Sequence, residues 1–288
     1  MKNQQRSLAS LVSAEELKSA LGRVKVLDGS WHMPNTNRDP YQEYLKKRIV
    51  GSQFFGIDTI KDTTSDLPHM LPSPDNFADA VGKLGISNND HVVVYDSTGV
   101  FSACRVYWTF KAFGHESVSV LNGGLPIWEK DSGPTESGEP TPIQPATYHP
   151  SPINTDLVRD YQQVLANAKK QEAIVLDARP NARFTGEAPE PRAGLSSGHM
   201  PSSISVAFNE VIDPQTGAML DDEKLHKVFV EQKGVDLSRP IITSCGSGIT
   251  ASILYLALER IGAKNLAVYD GSWTEYAAKP DAIIIKDH

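Results

Sequence analysis

The chain has 288 residues, long for one domain and comfortable for two. Its 40% hydrophobic and 22% charged content is that of an ordinary globular protein. The net charge of −7 gives no reason to expect nucleic acid or an anionic membrane as partner, and no apolar run approaches the roughly 18 residues that cross a bilayer.

The Ser-x-x-Glu form of Ser13-Ala14-Glu15-Glu16 predicts a capped helix running to about Leu21. Residues 24–27 read as a strand that ends at Asp28-Gly29-Ser30-Trp31, and residues 41–48 as a charged surface helix. Residues 51–58 are strand-like and deliver Asp58 at their end. A stretch of little periodicity, residues 59–74, follows and contains His69-Met70-Leu71-Pro72. A helix is predicted over 77–84, a strand over 91–95, a buried helix over 104–113 and a strand over 118–121, closed by Asn122-Gly123-Gly124. Residues 131–155 turn polar and rich in Pro and Gly, the composition of a linker.

Beyond it the order repeats. A helix over 156–169 leads to a strand over 174–176 that ends at Asp177, then a strand near 204–206 and a helix over 221–232. The β-branched run from Ile241 is a strand, the stretch from Thr250 a buried helix, and residues 266–271 a last strand before a short helix. Spacing supports a duplication: Asp28 to Asp96 is 68 residues, as is Asp177 to Cys245, and Ala103 to Gly114 is 11, as is Ala251 to Gly262. The loops differ by one residue, 7 from Asp96 to Ala103 against 6 from Cys245 to Ala251. Alternating strands and helices predict an α/β fold with two similar domains, each a mostly parallel sheet flanked by helices. The boundaries expected are an N-terminal domain over 1–132, a linker over 133–154 and a C-terminal domain over 155–288.

In such sheets ligands sit beyond the carboxyl ends of the strands, where Asp96 and Cys245 both fall. Cys245 stands at a strand-loop-helix joint that aims several backbone N–H groups and a helix N-terminus at one spot, so it is expected to react as its thiolate. Only the second half can be a thiol catalyst, because the first carries Asp96 instead. The other cysteine, Cys104, lies on an apolar helix and reads as a small buried hydrophobe. Two cysteines argue against a secreted disulfide scaffold, and the eight histidines show no metal-ligand spacing, so neither metal nor organic cofactor is expected. Residues 1–10 are basic and free of acids but too short for a convincing transit peptide, so a cytoplasmic location is expected, with a mitochondrial one as alternative.

A cysteine phosphatase needs an arginine six places after its nucleophile to clamp the phosphate dianion. Here that place holds Ala251, so a smaller anionic group, such as a persulfide, suits the loop better. The loop 245–251, with Tyr269-Asp270-Gly271-Ser272-Trp273 behind it, resembles the tandem-domain sulfurtransferases of the rhodanese superfamily. Residues 51–58, Pro68-His69-Met70-Leu71-Pro72, and the run from Asp177-Ala178-Arg179 to Gly198-His199-Met200-Pro201 carry the same resemblance. The resemblance implies a persulfide on Cys245 as intermediate, a thioredoxin-like thiol or cyanide as sulfur acceptor, and a monomer.

Within that family the thiosulfate enzymes carry cations directly after the cysteine. Gly246 and Ser247 leave this loop neutral, which favours 3-mercaptopyruvate as donor, with release of pyruvate. The resemblance further implies that Arg183 and Arg192 hold the carboxylate and ketone oxygens and that amides of Gly246, Gly248, Ile249 and Thr250 line the sulfur. It also implies a relay in which Asp58 orients His69 and His69 acts on Ser247, so the first domain is expected to reach the second domain's loop. The family usually has Asp-Ile-Asp where this chain has Gly56-Ile57-Asp58, and only the second carboxylate is needed. The plainer reading of the two arginines is ion pairing with Glu187 or Glu190. Asp177 and His199 are expected to brace turns, Asp96 to cap its own loop, and Trp128 and Trp273 to pack the cores. Two alternatives stay open: a thiosulfate:cyanide sulfurtransferase and a non-catalytic sulfur carrier.

Overall fold

The computed structural model describes residues 8–287; residues 1–7, with most of the basic N-terminal segment, and residue 288 lie outside the described residues. The chain forms two compact units. Unit 1 comprises Met1–Ile60, Pro74–Pro152 and Thr216–Ala218, and unit 2 comprises Lys61–Ser73, Ile153–Gln215 and Met219–His288. The halves therefore exchange segments that a division in strict chain order does not foresee.

In unit 1 the strands are β1 (Leu11–Val12), β2 (Lys25–Asp28), β3 (Arg48–Ile49), β4 (Gln53–Phe54), β5 (Val92–Tyr95), β6 (Val118–Leu121) and β7 (Thr135–Glu136). Its helices are α1 (Ala14–Ala20), α2 (Pro40–Lys46), α3 (Pro74–Lys83), α4 (Ala103–Ala112) and α5 (Gly124–Lys130). Five strands form a parallel sheet in the order β1-β6-β5-β2-β4, and β3 and β7 form an antiparallel pair. The Val-Val-Val-Tyr run of β5 is buried at every position because helices cover both sheet faces. Ser13 and Glu16 close the capping box on α1.

Unit 2 contains β8 (Val158–Arg159), α6 (Tyr161–Lys170), β9 (Ile174–Asp177), α7 (Asn181–Thr185), β10 (Ser203–Ser205), α8 (Asp222–His226), β11 (Ile241–Ser244), α9 (Ala251–Arg260), β12 (Leu266–Tyr269) and α10 (Ser272–Tyr276). Its sheet is also parallel, in the order β10-β9-β11-β12-β8. Each strand has a counterpart at the same place in unit 1, and register agrees: Asp28 pairs with Tyr95 as Asp177 pairs with Ser244. Trp128 and Trp273, both fully buried, sit in the hydrophobic cores of their units as expected.

Local details depart from sequence expectation where tertiary pairing overrides periodicity. The helix expected over 41–48 stops at Lys46; Arg48 then turns inward onto Glu136 with Nε–Oε1 2.9 Å and is 1% exposed. The helix expected over 156–169 begins only at Tyr161, because Val158–Arg159 pairs with β12 as an edge strand. The helix expected over 221–232 is α8 followed by a π-wound run, Lys227–Gln232, that buries Val228 and Phe229.

Much of the Pro- and Gly-rich stretch lies along unit 1. Besides the β7 pairing, Ala146 N–H donates to Gly82 O at 2.9 Å, and Tyr148 meets Phe77 edge-on with centroids 5.7 Å apart. A stretch without a periodic apolar face can still satisfy its backbone along existing edges.

Candidate active site

In unit 2, β11 runs through the middle of the sheet and ends at Ser244, so Cys245 is the first residue beyond its carboxyl end. The cysteine is 2% exposed. Its N–H donates to Ser272 Oγ at 3.2 Å, its carbonyl accepts Trp273 N–H at 2.9 Å, and Gly246 O accepts Thr274 N–H at 3.0 Å and Thr274 Oγ1 at 2.6 Å. The start of α10 thus clamps the base of the loop. Gly248, at φ +86°, bends the chain so that its N–H donates to Cys245 Sγ at 3.1 Å, a backbone form that a side chain would strain. The backbone N–H groups of Gly246, Ser247, Ile249 and Thr250 meet no protein acceptor among the described residues. Thr250 leads into α9, whose N-terminus carries no side-chain cap. The loop that carries Cys245 thus combines amides free of protein acceptors among the described residues with an uncapped helix N-terminus, both of which favour a negative charge.

A buried ion network flanks this loop. Asp177, ending β9, receives Arg179 Nε at 3.0 Å and Nη2 at 2.6 Å. Arg179 also donates to Gly198 O at 2.6 Å and to Glu190 Oε1 at 2.7 Å, and its guanidinium lies 4.0 Å from the Trp273 ring centre. Burial works against its charge, but Asp177 and Glu190 outweigh it and hold its pKa above the ordinary value. Glu190 turns its other oxygen to Arg183 Nη2, while Arg183 Nε reaches Oε1 at 3.2 Å. A Cβ at Gly246 would lie 3.4 Å from Arg183 Nη2, so that guanidinium stands against the first loop residue.

The structure places the remaining sequence candidates as follows. Ser247 and Thr250 are half-buried on the loop. Arg192 is exposed on the segment between α7 and β10, without a hydrogen bond or ion pair among the described residues. His69 comes from the N-terminal part of the sequence but belongs to unit 2, the unit of Cys245. Its segment is tied down there by Leu71 N–H to Asp270 Oδ2 at 2.9 Å, one residue before the Gly271-Ser272 clamp. His69 is 5% exposed and has φ +61°, a left-handed conformation uncommon outside glycine that surrounding structure must enforce. Asp58 belongs to unit 1, where Oδ2 accepts Trp31 Nε1 at 2.9 Å. His199 stacks on Phe184 with ring centres 4.0 Å apart and bonds its carbonyl at 3.0 Å, a turn brace as expected.

Sequence reasoning missed Glu190 as the centre of this network, and Arg179, Ser272 and Asp270 with it. Glu190 was legible only as a possible partner for Arg183. Ser272, in the left-handed region at φ +50°, has its counterpart in Gly124 at φ +56°, a hint present in the duplicated spacing.

A parallel α/β sheet that hands a buried cysteine to a loop of open amides defines a thiol-site protein of duplicated design. A family model for the rhodanese-like domain matches residues 13–131 and again 160–279, and the chain belongs to that family. A curated relative from Schizosaccharomyces pombe, named a probable 3-mercaptopyruvate sulfurtransferase, is 42% identical over 92% of this chain and 90% of its own. The thiosulfate sulfurtransferase of Rattus norvegicus is 43% identical over 91% of this chain and 89% of its own. The crystal structure of SseA from Escherichia coli, described with the rhodanese fold of 3-mercaptopyruvate sulfotransferases, superposes with TM-score 0.81 at 35% identity, covering 92% of this chain and 99% of that one. No helix among the described residues is long and apolar enough to cross a membrane.

Proposed function

We propose that the protein is a sulfurtransferase that takes sulfur from 3-mercaptopyruvate. The Cys245 thiolate attacks the donor sulfur, the carbon–sulfur bond breaks with its electrons leaving on pyruvate as the enolate, and the enolate takes up a proton. The outer sulfur of the Cys245 persulfide then passes to a thiol acceptor of thioredoxin type, or to cyanide as thiocyanate, and the cysteine thiolate is regenerated. Amides of Gly246, Gly248, Ile249 and Thr250 hold the charged sulfur, and Arg183 with Arg192 holds the donor carboxylate. His69 and Ser247 carry the proton to the enolate.

The observation that carries this reading is a buried cysteine whose sulfur accepts Gly248 N–H, on a loop without charges of its own that has the Arg183 guanidinium standing against Gly246. A loop without its own cations attracts a dianion weakly, whereas a forked guanidinium suits a carboxylate. The similarity to the rat thiosulfate enzyme keeps thiosulfate as the second donor to compare. Intact mass after incubation with 3-mercaptopyruvate should show one added sulfur on Cys245 and equimolar pyruvate. A stable persulfide without turnover supports a carrier instead, and a higher kcat/KM for thiosulfate overturns the donor assignment.

A further inference from the structure

The sulfurtransferase reading assigns Arg183 a substrate but leaves Glu190 without a task. Its side chain is 3% exposed and bridges two guanidiniums, with Oε1 shared by Arg179 (1% side-chain exposure) and Arg183 (17%) and Oε2 on Arg183. The deeper arginine is already paired with Asp177 and stacked on Trp273, so it is an immobile anchor. Glu190 links that anchor to Arg183, whose Nη2 reaches the space beside Gly246.

Two consequences follow. The guanidinium is held in one orientation, which lowers the entropy a substrate must remove to use it. Its charge is also cancelled locally: Asp177 and Glu190 balance Arg179 and Arg183, leaving this network neutral. Gly246 and Ser247 add no charge. A carboxylate monoanion can still bind the unshared N–H edge of Arg183, whereas a dianion gains little from this neutral network, which leaves Arg192 as the one unbalanced arginine of the proposed donor site among the described residues.

We infer that Glu190 is a positioning residue that sets donor selectivity, holding Arg183 against the Cys245 loop and cancelling its charge so that the site prefers monoanionic over dianionic sulfur donors. This inference rests on the sulfurtransferase reading for its biological meaning, but its electrostatic core can be tested without turnover.

The full-length protein and its Glu190→Gln variant are treated separately with iodoacetate, which is anionic, and iodoacetamide, which is neutral, and modification of Cys245 is followed by peptide mass. The ratio of the two rate constants should rise about tenfold in Glu190→Gln, the effect of one unmasked charge near the sulfur. Glu190→Asp, which keeps the charge, should stay within about twofold of wild type, and Arg183→Gln should lower the ratio. An unchanged ratio in Glu190→Gln, or a rise in Glu190→Asp equal to it, overturns the inference. In the catalytic assay, kcat/KM for thiosulfate relative to 3-mercaptopyruvate should rise about tenfold in Glu190→Gln, whereas equal losses for both donors reduce Glu190 to a structural brace. If the wild type releases no pyruvate, the sulfurtransferase reading fails while the alkylation ratios still decide the role of Glu190. Should Glu190→Gln not fold, Arg183→Gln and Glu190→Asp carry the same decision.

Discussion

The loop after β5 in unit 1 and the loop after β11 in unit 2 have the same place in the same topology, but one is filled and the other open. In unit 1 the Asp96 carboxylate, 1% exposed, accepts the N–H groups of Thr98, Gly99, Phe101 and Ala103 and the Thr98 hydroxyl, at 2.8–3.1 Å. In unit 2 Gly248 N–H donates to the Cys245 sulfur, and four further N–H groups of the loop have no protein acceptor among the described residues. The rest of the joint is shared: Leu125 N–H donates to Asp96 O at 3.0 Å as Trp273 N–H does to Cys245 O at 2.9 Å. An amide cradle binds an anion whether the anion is a side chain or a substrate group. Duplication with a built-in carboxylate has made one copy a closed structural joint and left the other free for chemistry.

The comparison breaks most sharply at the nucleophile. Cys245→Ser should abolish persulfide formation, with a loss in turnover of about 10⁴-fold or more, read by intact mass and pyruvate release. Asp96→Ala should do the opposite, leaving Cys245 alkylation unchanged while destabilising the fold by about 4 kcal/mol, because several buried donors lose their acceptor; urea unfolding measures it.

The strand-end acids sharpen the contrast. Asp177 has Arg179 as its partner, but Asp28, its counterpart, has only Ser30 N–H at 2.9 Å and the Ser30 and Tyr95 side chains nearby. Burial pushes the Asp28 pKa from 3.8 up to about 6. A raised folded-state value means that the folded protein holds the proton longer than the unfolded chain does. Stability from this group is therefore fully present below about pH 4 and is lost as pH rises to about 6, by about 3 kcal/mol. Asp28→Asn should remove that loss, seen as a larger wild-type-minus-variant stability difference at pH 4 than at pH 7. Asp96, also raised by burial, titrates in the same direction and is common to both proteins.

Smaller effects are expected around the open loop. Arg192→Gly should raise KM for 3-mercaptopyruvate roughly 30-fold and leave KM for thiosulfate within about 3-fold, whereas equal changes remove Arg192 from carboxylate binding. Ser247→Ala should slow pyruvate release by about 10-fold in single-turnover kinetics, and an unchanged rate would remove the hydroxyl from the proton path.

Most of this comparison was legible in the chain. The equal spacing from Asp28 to Asp96 and from Asp177 to Cys245 reflects two sheets with the same strand order, since strand-end positions survive duplication when loop lengths do. Asp96 was read as the cap of its own loop, and the structure agrees. The segments that changed units were not legible. Residues 61–73 lack periodicity, and nothing local ties Leu71 to Asp270, 199 positions away. Arg48 and the Pro- and Gly-rich stretch misled for the same reason: a charged or irregular segment looks solvated until a distant edge pairs with it.

Periodicity, turn residues and spacing by themselves determined two parallel α/β units, a single cysteine at a strand end and a loop without charges after it, because these depend on residue type and short separations. A carboxylate-holding role for Arg183 and Arg192, by contrast, is what the family resemblance implies. Tertiary structure alone decided which carboxylate holds which guanidinium, that His69 packs in the unit of Cys245, and that one cradle is filled while its twin stays open. Those outcomes depend on long-range pairing of buried charges and backbone groups, where the cost of leaving any one unpaired selects a single arrangement.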